Sequence, residues 1–286
     1  MMGLQAGEAP QPMIETRVVR TLDVSAASGL VLREGSFHIV ADDEHALFVF
    51  GPDDATRRIA LLPGELPDKK SARKKHKPDF EILVDLPDRG LLAMGSGSRA
   101  TRERAVLVDR RDRTTVIDTS ALCASLRQTF AELNLEGAAL VGGELVLLQR
   151  GNRSDRRTAL IFVAIGDLQR ALVSQQFAVT RAPRIVDLDL GMRDQIPWSC
   201  TDLTVLDDGD LLACAVLENT SDAYQDGPCL GSALIRMAPD GALRWQRPLD
   251  ASSKVEGVAV DGDVVWLVSD ADDRAVPSQL RRASLS

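Results

Sequence analysis

The stretch 254–273 constrains the fold more than any other part of the chain. Apolar residues run over 255–260, the pair Asp261-Gly262 follows, a second apolar run covers 264–268, and an acidic loop ends the unit. Asp-Gly between two runs rich in β-branched residues is among the strongest short-range hairpin signals, because glycine readily adopts the positive φ that tight turns need. The unit therefore predicts two antiparallel strands joined by a tight turn.

Four other stretches have the same layout. They cover 28–43, 79–96, 136–149 and 201–216, so the unit recurs roughly every 50–65 residues. Repeats of this length, built from short strands and turns, are typical of propeller blades. We predict an all-β fold, a single five-bladed β-propeller of four-stranded antiparallel blades with short helical inserts. The predicted blades are 28–62, 79–118, 135–190, 200–249, and 255–286 together with 16–24.

One strand is left over at the start of the chain, and one is missing at its end. Residues 16–24 have the pattern of a strand that belongs to none of the hairpins, and the fifth repeat lacks its outer strand. A propeller closes its ring because an open sheet edge exposes unpaired backbone groups. We therefore expect the N-terminal strand to close the last blade. Residues 1–13 are expected to form a flexible arm, and 14–286 the propeller.

The overall charge narrows the range of partners. The formal net charge is −8, which disfavours general binding to nucleic acid. No apolar run approaches the ~20 residues of a membrane-spanning helix, and residues 1–13 lack the basic start and apolar core of a secretory signal. We expect a cytoplasmic monomer with free cysteine thiols that binds neither nucleic acid nor membranes.

The loops are distributed unequally between the two predicted faces. Turns within the hairpins are tight, as at 33–35, 142–143 and 207–209. Connections at the opposite face are longer and include a basic linker at 67–78 and the loop 218–231. Elaborate loops carry binding sites more often than tight turns do. We therefore place the site on the elaborated face, over the central channel.

Acidic residues converge on that face in the predicted fold. The candidate metal ligands are Asp42, Asp79, Glu136, Asp202, Glu256 and Asp270. Carboxylates from several blades suit a hard cation, Ca²⁺ or Mg²⁺, whereas the alternative is that acidic residues at hairpin ends are solvated turn formers. Glu136 and Glu256 favour the metal, because each begins an inner strand beside the channel, where an unpaired charge is costly to bury.

A second set of polar residues predicts an anion site. The runs 95–99 and 149–153 occupy equivalent positions in blades two and three. Glycine-rich backbone forms anion-binding nests, and arginine forks onto phosphate or carboxylate. For the lysine run that ends at Lys77, a mobile solvated loop is the competing interpretation, and Trp198 either stacks on a ligand or packs between blades. The predicted ligand-binding residues are Ser96, Ser98, Arg99, Lys77, Arg150, Asn152, Arg153, Trp198, Glu218 and Asn219.

The fifth repeat also resembles a known kind of propeller. Its 255–259 and 268–270 segments look like the EG-x-A … V-S-D unit of phytase-like, esterase-like propeller proteins, and 135–139 echoes the first part. The unit is similar to strand pairs in gluconolactonase-like and strictosidine-synthase-like propellers, which use a channel glutamate as a metal ligand. This resemblance implies that Glu136 and Glu256 are metal ligands. The whole layout, including 77–81 and 95–99, looks closer to a bacterial propeller family of unknown function.

Together these features favour a cytoplasmic propeller that binds a small anionic ligand, such as a phosphate ester or sugar acid, with a divalent cation. Hydrolysis of a phosphate or carboxylate ester is compatible with this site, with Arg99 or Arg153 holding the charge. Two alternatives stay open: a protein-interaction propeller without catalysis, and a lactonase-like hydrolase. A metal-dependent gain in stability favours the first hypothesis, and an exposed apolar patch without a pocket favours a protein partner.

Overall fold

The computed structural model describes residues 12–53, 55–151, 155–218, 229–250 and 253–285. The chain opens with β1 (Arg17–Thr21) and then runs through the blades in order. Blade one contains β2 (Ala27–Arg33), β3 (Ser36–Ala41), β4 (Ala46–Phe50) and β5 (Thr56–Ala60). Blade two contains β6 (Phe80–Leu86), β7 (Gly90–Gly95), β8 (Arg104–Asp109) and β9 (Thr114–Asp118). Blade three contains β10 (Leu135–Val141), β11 (Glu144–Gln149), β12 (Thr158–Ala164) and β13 (Arg184–Leu188).

Blade four carries one strand more than predicted. The two-residue strand β14 pairs with the beginning of β15, before the four main strands of the blade. Its strands are β14 (Met192–Arg193), β15 (Ile196–Val205), β16 (Leu211–Glu218), β17 (Cys229–Met237) and β18 (Leu243–Pro248). Blade five contains β19 (Lys254–Asp261), β20 (Val264–Asp270) and β21 (Gln279–Ser284).

The predicted closure of the ring is confirmed. Strand β1 pairs antiparallel with β21, and the last sheet has the order β1-β21-β20-β19. The strand spans Arg17–Thr21, shorter than the predicted 16–24. A second contact ties the same segment to blade four, because the backbone N–H of Ile14 donates to Pro248 O at 2.8 Å. The N-terminal segment therefore bridges the first and last parts of the chain, and the described residues form the predicted five-bladed propeller.

Burial follows the position of each strand within its blade. The second and third strands are covered on both faces, as in β7, which is buried throughout, and β12. Outer strands such as β5 and β9 bury one residue in five. This explains the continuous apolar runs in the sequence, since neighbouring blades cover both faces of the second and third strands. Among the described residues, five apolar clusters each join two adjacent blades.

Three helices fill connections between strands of the described chain. They are α1 (Lys70–His76), α2 (Ser120–Leu126) and α3 (Ile165–Ser174). Helix α1 lies in the basic linker, and its buried Arg73 donates through Nε to Asp43 Oδ2 at 2.8 Å and through Nη2 to Asp43 O at 2.6 Å. The segment is therefore a helix joined to blade one and not a loop, although its Lys70 and Lys75 are exposed to solvent. None of the described helices has the length and apolar character needed to cross a membrane.

Candidate functional site

A cavity of about 850 Å³ lies at the mouth of the central channel, on the face where the inner strands begin. Its wall is built from the starts of inner strands, represented by Glu81 and Glu136, and from the ends of second strands, represented by Glu218 and Asp270. This is the face on which the site was predicted. Most of the side chains that line the cavity are charged or polar, so the cavity favours a polar ligand over an apolar one.

A β-bulge in every inner strand shapes this wall. In each blade the pairing between the first two strands shifts its register, near the strand start in four blades and within β15 in blade four. The unpaired positions include Ser28, Glu81, Glu136, Thr201 and Glu256. A bulge re-aims the extra residue, and four of these five residues line the cavity, Thr201 being the exception. Three of the positions are glutamates, which places carboxyl groups from three blades around the channel.

Glycine follows two of these glutamates for a steric reason. A Cβ built on Gly137 would lie 2.7 Å from the backbone nitrogen of Leu203, and one on Gly257 would lie 2.2 Å from the backbone oxygen of Ser28. Any larger residue would push the neighbouring inner strand away. The Glu-Gly pairs that stand out in the sequence therefore mark close packing of inner strands as well as channel carboxylates.

Three carboxyl groups of blades three to five pair with two buried cations. Arg150 forms ion pairs with Glu218 and, at 3.4 Å, with Glu136. Lys254 Nζ lies 2.7 Å from Glu256 Oε1 and 3.0 Å from Glu218 Oε1. We call these five residues the Arg150–Lys254 cluster. Because it contains three acidic and two basic side chains from three blades, the cluster joins the blades electrostatically at the channel.

The ionisation of this cluster is set by burial. Burial raises the pKa of Glu136 to about 8, against the opposing effect of Arg150 and with a further increase from Glu256. Burial also raises the pKa of Glu256, although Lys254 opposes the shift. Burial alone would lower the pKa of Lys254, but the carboxylates of Glu256 and Glu218 raise it well above its usual range. Lys254 therefore stays charged at neutral pH.

A second ionic group, the Lys77 cluster, lies between blades one and two. Lys77 pairs with Asp42 and, at 2.8 Å, with Asp79. Arg102 lies 2.7 Å from the other oxygen of Asp79, and the hydroxyl of Ser96 donates to the same oxygen at 2.5 Å. Burial acts to raise the pKa of Asp79, but Lys77 and Arg102 outweigh it and lower that pKa. Asp79 is therefore an ionised carboxylate held in place by its polar neighbours.

Sequence reasoning missed Glu81, which differs from every other carboxylate named so far. Its side chain makes no hydrogen bond or ion pair with any residue in the described part of the chain. One carboxylate oxygen each from Asp42, Asp79 and Glu81 lie within 4.8 Å of one another. Burial raises the pKa of Glu81 well above its usual range, and Glu136 and Asp79 add to the shift. Glu81 follows Phe80 as Glu136 follows Leu135, and this equivalent position could have identified it. The equivalence was missed because no glycine follows Glu81.

The rim of the cavity is more basic than its interior. Arg99 and Arg156 line the cavity, are exposed, and form no hydrogen bond or ion pair through their side chains with the residues that the structure describes. Sequence reasoning named Arg99 and missed Arg156 and Arg102. Ser98 also lines the cavity, where its hydroxyl accepts a hydrogen bond from Arg102 at 2.8 Å. The predicted residues Asn152, Arg153 and Asn219 lie outside the described residues.

The remaining predicted residues occupy three different environments. Asp270 lines the cavity, and burial together with Asp272 raises its pKa to about 8. Asp202 is buried beneath the cavity, and its oxygens accept hydrogen bonds from backbone N–H groups. Trp198 packs against the apolar cluster between blades three and four, with the guanidinium of Arg193 5.8 Å from its ring centre. Neither Asp202 nor Trp198 is among the residues that line the cavity.

Comparison with solved structures identifies several proteins of similar fold. A glutaminyl cyclase from Myxococcus xanthus is 14% identical, over 96% of this chain and 100% of its own, with a TM-score of 0.51. A virginiamycin B lyase from Staphylococcus aureus is 8% identical over 96% and 100% of the two chains, with a TM-score of 0.47. A gluconolactonase-like protein is 9% identical over 96% and 93%, with a TM-score of 0.42. At these identities the likeness concerns the fold alone.

Sequence comparison assigns the family. The search of curated protein sequences gives no match. The profile of a family of unknown function, DUF6929, matches residues 23–285, which cover all five blades apart from β1. This confirms the predicted resemblance to a propeller family of unknown function. The chain, a five-bladed β-propeller, therefore belongs to DUF6929, a family of unknown function.

Proposed function

We propose that the cavity at the channel mouth binds a small anionic molecule and that the protein hydrolyses phosphate or carboxylate esters there. The observation that carries the proposal is the contrast between the interior and the rim. Interior cations such as Arg150 and Lys77 are neutralised by carboxylates, whereas the rim arginines Arg99 and Arg156 have no such partner among the described residues. Free guanidinium groups beside a concave polar surface recognise phosphate and carboxylate through forked hydrogen bonds.

The shape of the surface supports a small molecule over a protein partner. The exposed large apolar side chains of the described residues lie away from the cavity, for example Val18 and Val19 on β1 and Met192, Leu230 and Leu243 in blade four, and none of them lines it. A protein interface generally has a contiguous, partly apolar centre, whereas a polar cavity of about 850 Å³ has the size of a small-molecule site. The lactonase alternative is a special case of the same chemistry, since a lactone is a cyclic carboxylate ester.

A divalent cation, Ca²⁺ or Mg²⁺, is the proposed cofactor. The oxygen donors of Asp42, Asp79 and Glu81 fit the preference of hard cations, and Glu81 lacks a cationic partner in the described part of the protein. Glu136 and Glu256 fit less well, because each of them already pairs with Arg150 or Lys254. Lys77 likewise pairs with Asp42 and Asp79, but Glu81 adds a carboxylate that has no such pair among the described residues. We therefore propose Asp42, Asp79 and Glu81 as the ligands, with Lys77 sharing two of these carboxylates.

The chain's own residues supply binding and charge stabilisation in the proposed reaction. A cation held by these carboxylates would polarise the ester and lower the pKa of a bound water. Arg99 and Arg156 hold the anionic part of the substrate at the rim. The buried ion pairs keep the charged wall in place, so that little reorganisation is needed when charge develops on the reacting oxygen. Arg153, the predicted alternative to Arg99, lies outside the described residues.

Calorimetric titration with inorganic phosphate tests the anion site. We expect the wild-type protein to bind phosphate and the double variant Arg99→Ala/Arg156→Ala to bind it at least about tenfold more weakly, because charge-assisted hydrogen bonds are lost. Arg89→Ala is the matched control, since Arg89 is an exposed arginine in the tight turn between β6 and β7, on the opposite face. If the double variant and the wild type bind phosphate equally well, the proposed anion site at these two arginines is rejected.

Hydrolysis is tested separately with p-nitrophenyl phosphate and p-nitrophenyl acetate, with and without Ca²⁺ or Mg²⁺. Nitrophenolate release that depends on Glu81 and on the metal supports the proposed reaction. If the protein binds phosphate but hydrolyses neither ester, the proposed anion site stands and the proposed hydrolase activity is rejected. The cytoplasmic location and the monomeric state stay predictions.

A further inference from the structure

The rim between blades two and three contains three charged side chains without a partner among the described residues. Arg99 and Arg156 are two of them, and Glu132 is the third. All three line the cavity. Oε2 of Glu132 is buried and accepts no hydrogen bond from any described residue. A buried carboxylate oxygen without a donor costs free energy, so its place in the wall of a cavity indicates a donor that comes from a ligand.

Three loops that are linked by hydrogen bonds carry these side chains. Arg99 follows β7, whose loop is fixed by the hydrogen bond from Leu135 N to Ser96 O at 2.8 Å. The loop of Glu132 is fixed through its own backbone, because Glu132 O accepts from Gln149 Nε2 at 2.9 Å. The N–H of Ala131 donates to Asp155 at 3.0 Å, which joins the same loop to the one that carries Arg156. Hydrogen bonds therefore fix the loops that carry the three charged side chains along the same wall of the cavity.

The opposite charges do not neutralise each other. Neither Arg99 nor Arg156 forms an ion pair with Glu132, although the three side chains share one rim in the described structure. A site that keeps one carboxylate and two guanidinium groups unpaired complements a ligand with both signs of charge. The guanidinium groups suit a carboxylate, which accepts forked hydrogen bonds, and the carboxylate of Glu132 suits an ammonium group, which donates three.

We propose that Arg99, Glu132 and Arg156 bind the amino-carboxylate group of an amino acid or amino-acid derivative, with the arginines on its carboxylate and Glu132 on its ammonium. This inference rests on the proposed function, which assigns the anionic group of the ligand to the two arginines. It narrows the substrate class to esters that carry an amino-carboxylate group. The metal ligands proposed above are other residues of the same cavity and are left free for the reacting ester.

Three matched probes test the inference by ligand-detected NMR and thermal shift. They are L-alanine, N-acetyl-L-alanine, which lacks the ammonium, and L-alaninamide, which lacks the carboxylate. We expect wild-type protein to bind L-alanine about tenfold or more tightly than either derivative, the loss expected for one charge-assisted contact. Glu132→Gln should abolish the preference for L-alanine over N-acetyl-L-alanine. The double variant Arg99→Gln/Arg156→Gln should bind both of these carboxylate-containing probes more weakly. Asp263→Asn and Arg89→Gln, in exposed turns of the opposite face, should change nothing.

The outcomes separate this inference from the proposed function. If N-acetyl-L-alanine binds as well as L-alanine and Glu132→Gln leaves their ratio unchanged, the amino-carboxylate inference is wrong while the anion site stands. Binding of neither carboxylate probe, together with no binding of inorganic phosphate, rejects both. Binding of phosphate through the arginines without binding of L-alanine rejects the inference alone. Circular dichroism of each variant establishes that a lost signal does not come from unfolding.

Discussion

The carboxylate of Asp202 accepts a hydrogen bond from the backbone N–H of Val258, with Oδ2 and N 2.9 Å apart. Asp202 belongs to the inner strand of blade four and Val258 to that of blade five, so the contact joins two blades beside the channel. The other oxygen accepts from the backbone N–H of Leu203 at 2.8 Å. Asp202 was predicted as a metal ligand, but in this structure both of its oxygens accept hydrogen bonds from the backbone.

Asp202→Ala is expected to destabilise the propeller by about 3 kcal/mol, because two buried backbone donors lose their acceptor. Asp202→Asn should cost less, since the amide oxygen still accepts one of the two bonds. Urea unfolding followed by tryptophan fluorescence measures both changes. Asp207→Ala, at an exposed hairpin turn, is the control. An unfolding midpoint equal to that of the wild type for Asp202→Ala would show that this carboxylate does not hold the blades.

Removal of the N-terminal strand is expected to unfold the domain. Deleting residues 1–24 removes β1, which pairs with β21, and the buried side chains of Leu22 and Val24. Blade five then exposes an unpaired edge. Deleting residues 1–13 should leave the melting temperature nearly unchanged, and this shorter variant serves as the control. The closure account is wrong if the longer deletion melts at the wild-type temperature.

Arg150→Met is expected to destabilise the protein by roughly 3–5 kcal/mol, the usual cost of leaving a buried charge without its partner. The substitution keeps most of the side-chain volume but leaves Lys254 as the remaining cation of the cluster beside Glu218 and Glu256. Adding Glu218→Gln should restore part of the loss, because fewer carboxylates then share Lys254. A double-mutant cycle in urea measures the coupling. Additive effects of the two substitutions would contradict an interaction between the two side chains.

Calcium is expected to raise the melting temperature of the wild-type protein in a dose-dependent way, because a ligand bound only by the folded state stabilises it. Glu81→Gln should remove this gain without breaking an ion pair, since Glu81 has none within the described residues. Glu136→Gln and Glu256→Gln distinguish the two metal hypotheses. They should leave the gain intact if Asp42, Asp79 and Glu81 hold the ion, and should abolish it if the site predicted from the sequence is correct. A wild-type titration without any shift excludes both.

Stability is expected to fall as the pH rises from weakly acidic to weakly alkaline. The pKa of Glu136 and that of Asp270 are each raised to about 8, mainly by burial, whereas ordinary carboxyl groups in the unfolded chain titrate near pH ~4. The folded state therefore binds extra protons between these values. The stabilisation is fully present below the unfolded pKa and is lost as the pH rises through about 8.

The double variant Glu136→Gln/Asp270→Asn isolates this effect from the other titrating groups. Its free energy of unfolding should depend less steeply on pH than that of the wild type between about pH 5 and about pH 9. Urea titrations across this range provide the measurement. Parallel pH profiles for variant and wild type would mean that these two carboxyls do not take up protons on folding.

Local signals made most of the architecture predictable. The Asp261-Gly262 turn and the related Gly-containing turns mark hairpins, and the count of strands required 16–24 to close the ring. Glu136 and Glu256 were recognised because a glycine follows each of them. Glu81 occupies the same bulge but precedes Ile82, so the pattern that revealed the other two concealed it. The extra strand β14 was missed because two residues are too few to form a recognisable pattern.

The sequence by itself determined the fold class, the closure of the ring and the face on which carboxylates gather, because strand periodicity, turn chemistry and edge pairing are local or countable. Only the tertiary structure decided which charges neutralise one another. Arg150 forms an ion pair with Glu218, which is 68 positions away in the sequence, and Lys77 forms one with Asp42, which is 35 positions away. Such pairs depend on the distances between side chains of different blades, which no spacing along the chain encodes. The same distances leave Glu81, Glu132 and the two rim arginines without partners in the described structure, and so define where a ligand is expected to bind.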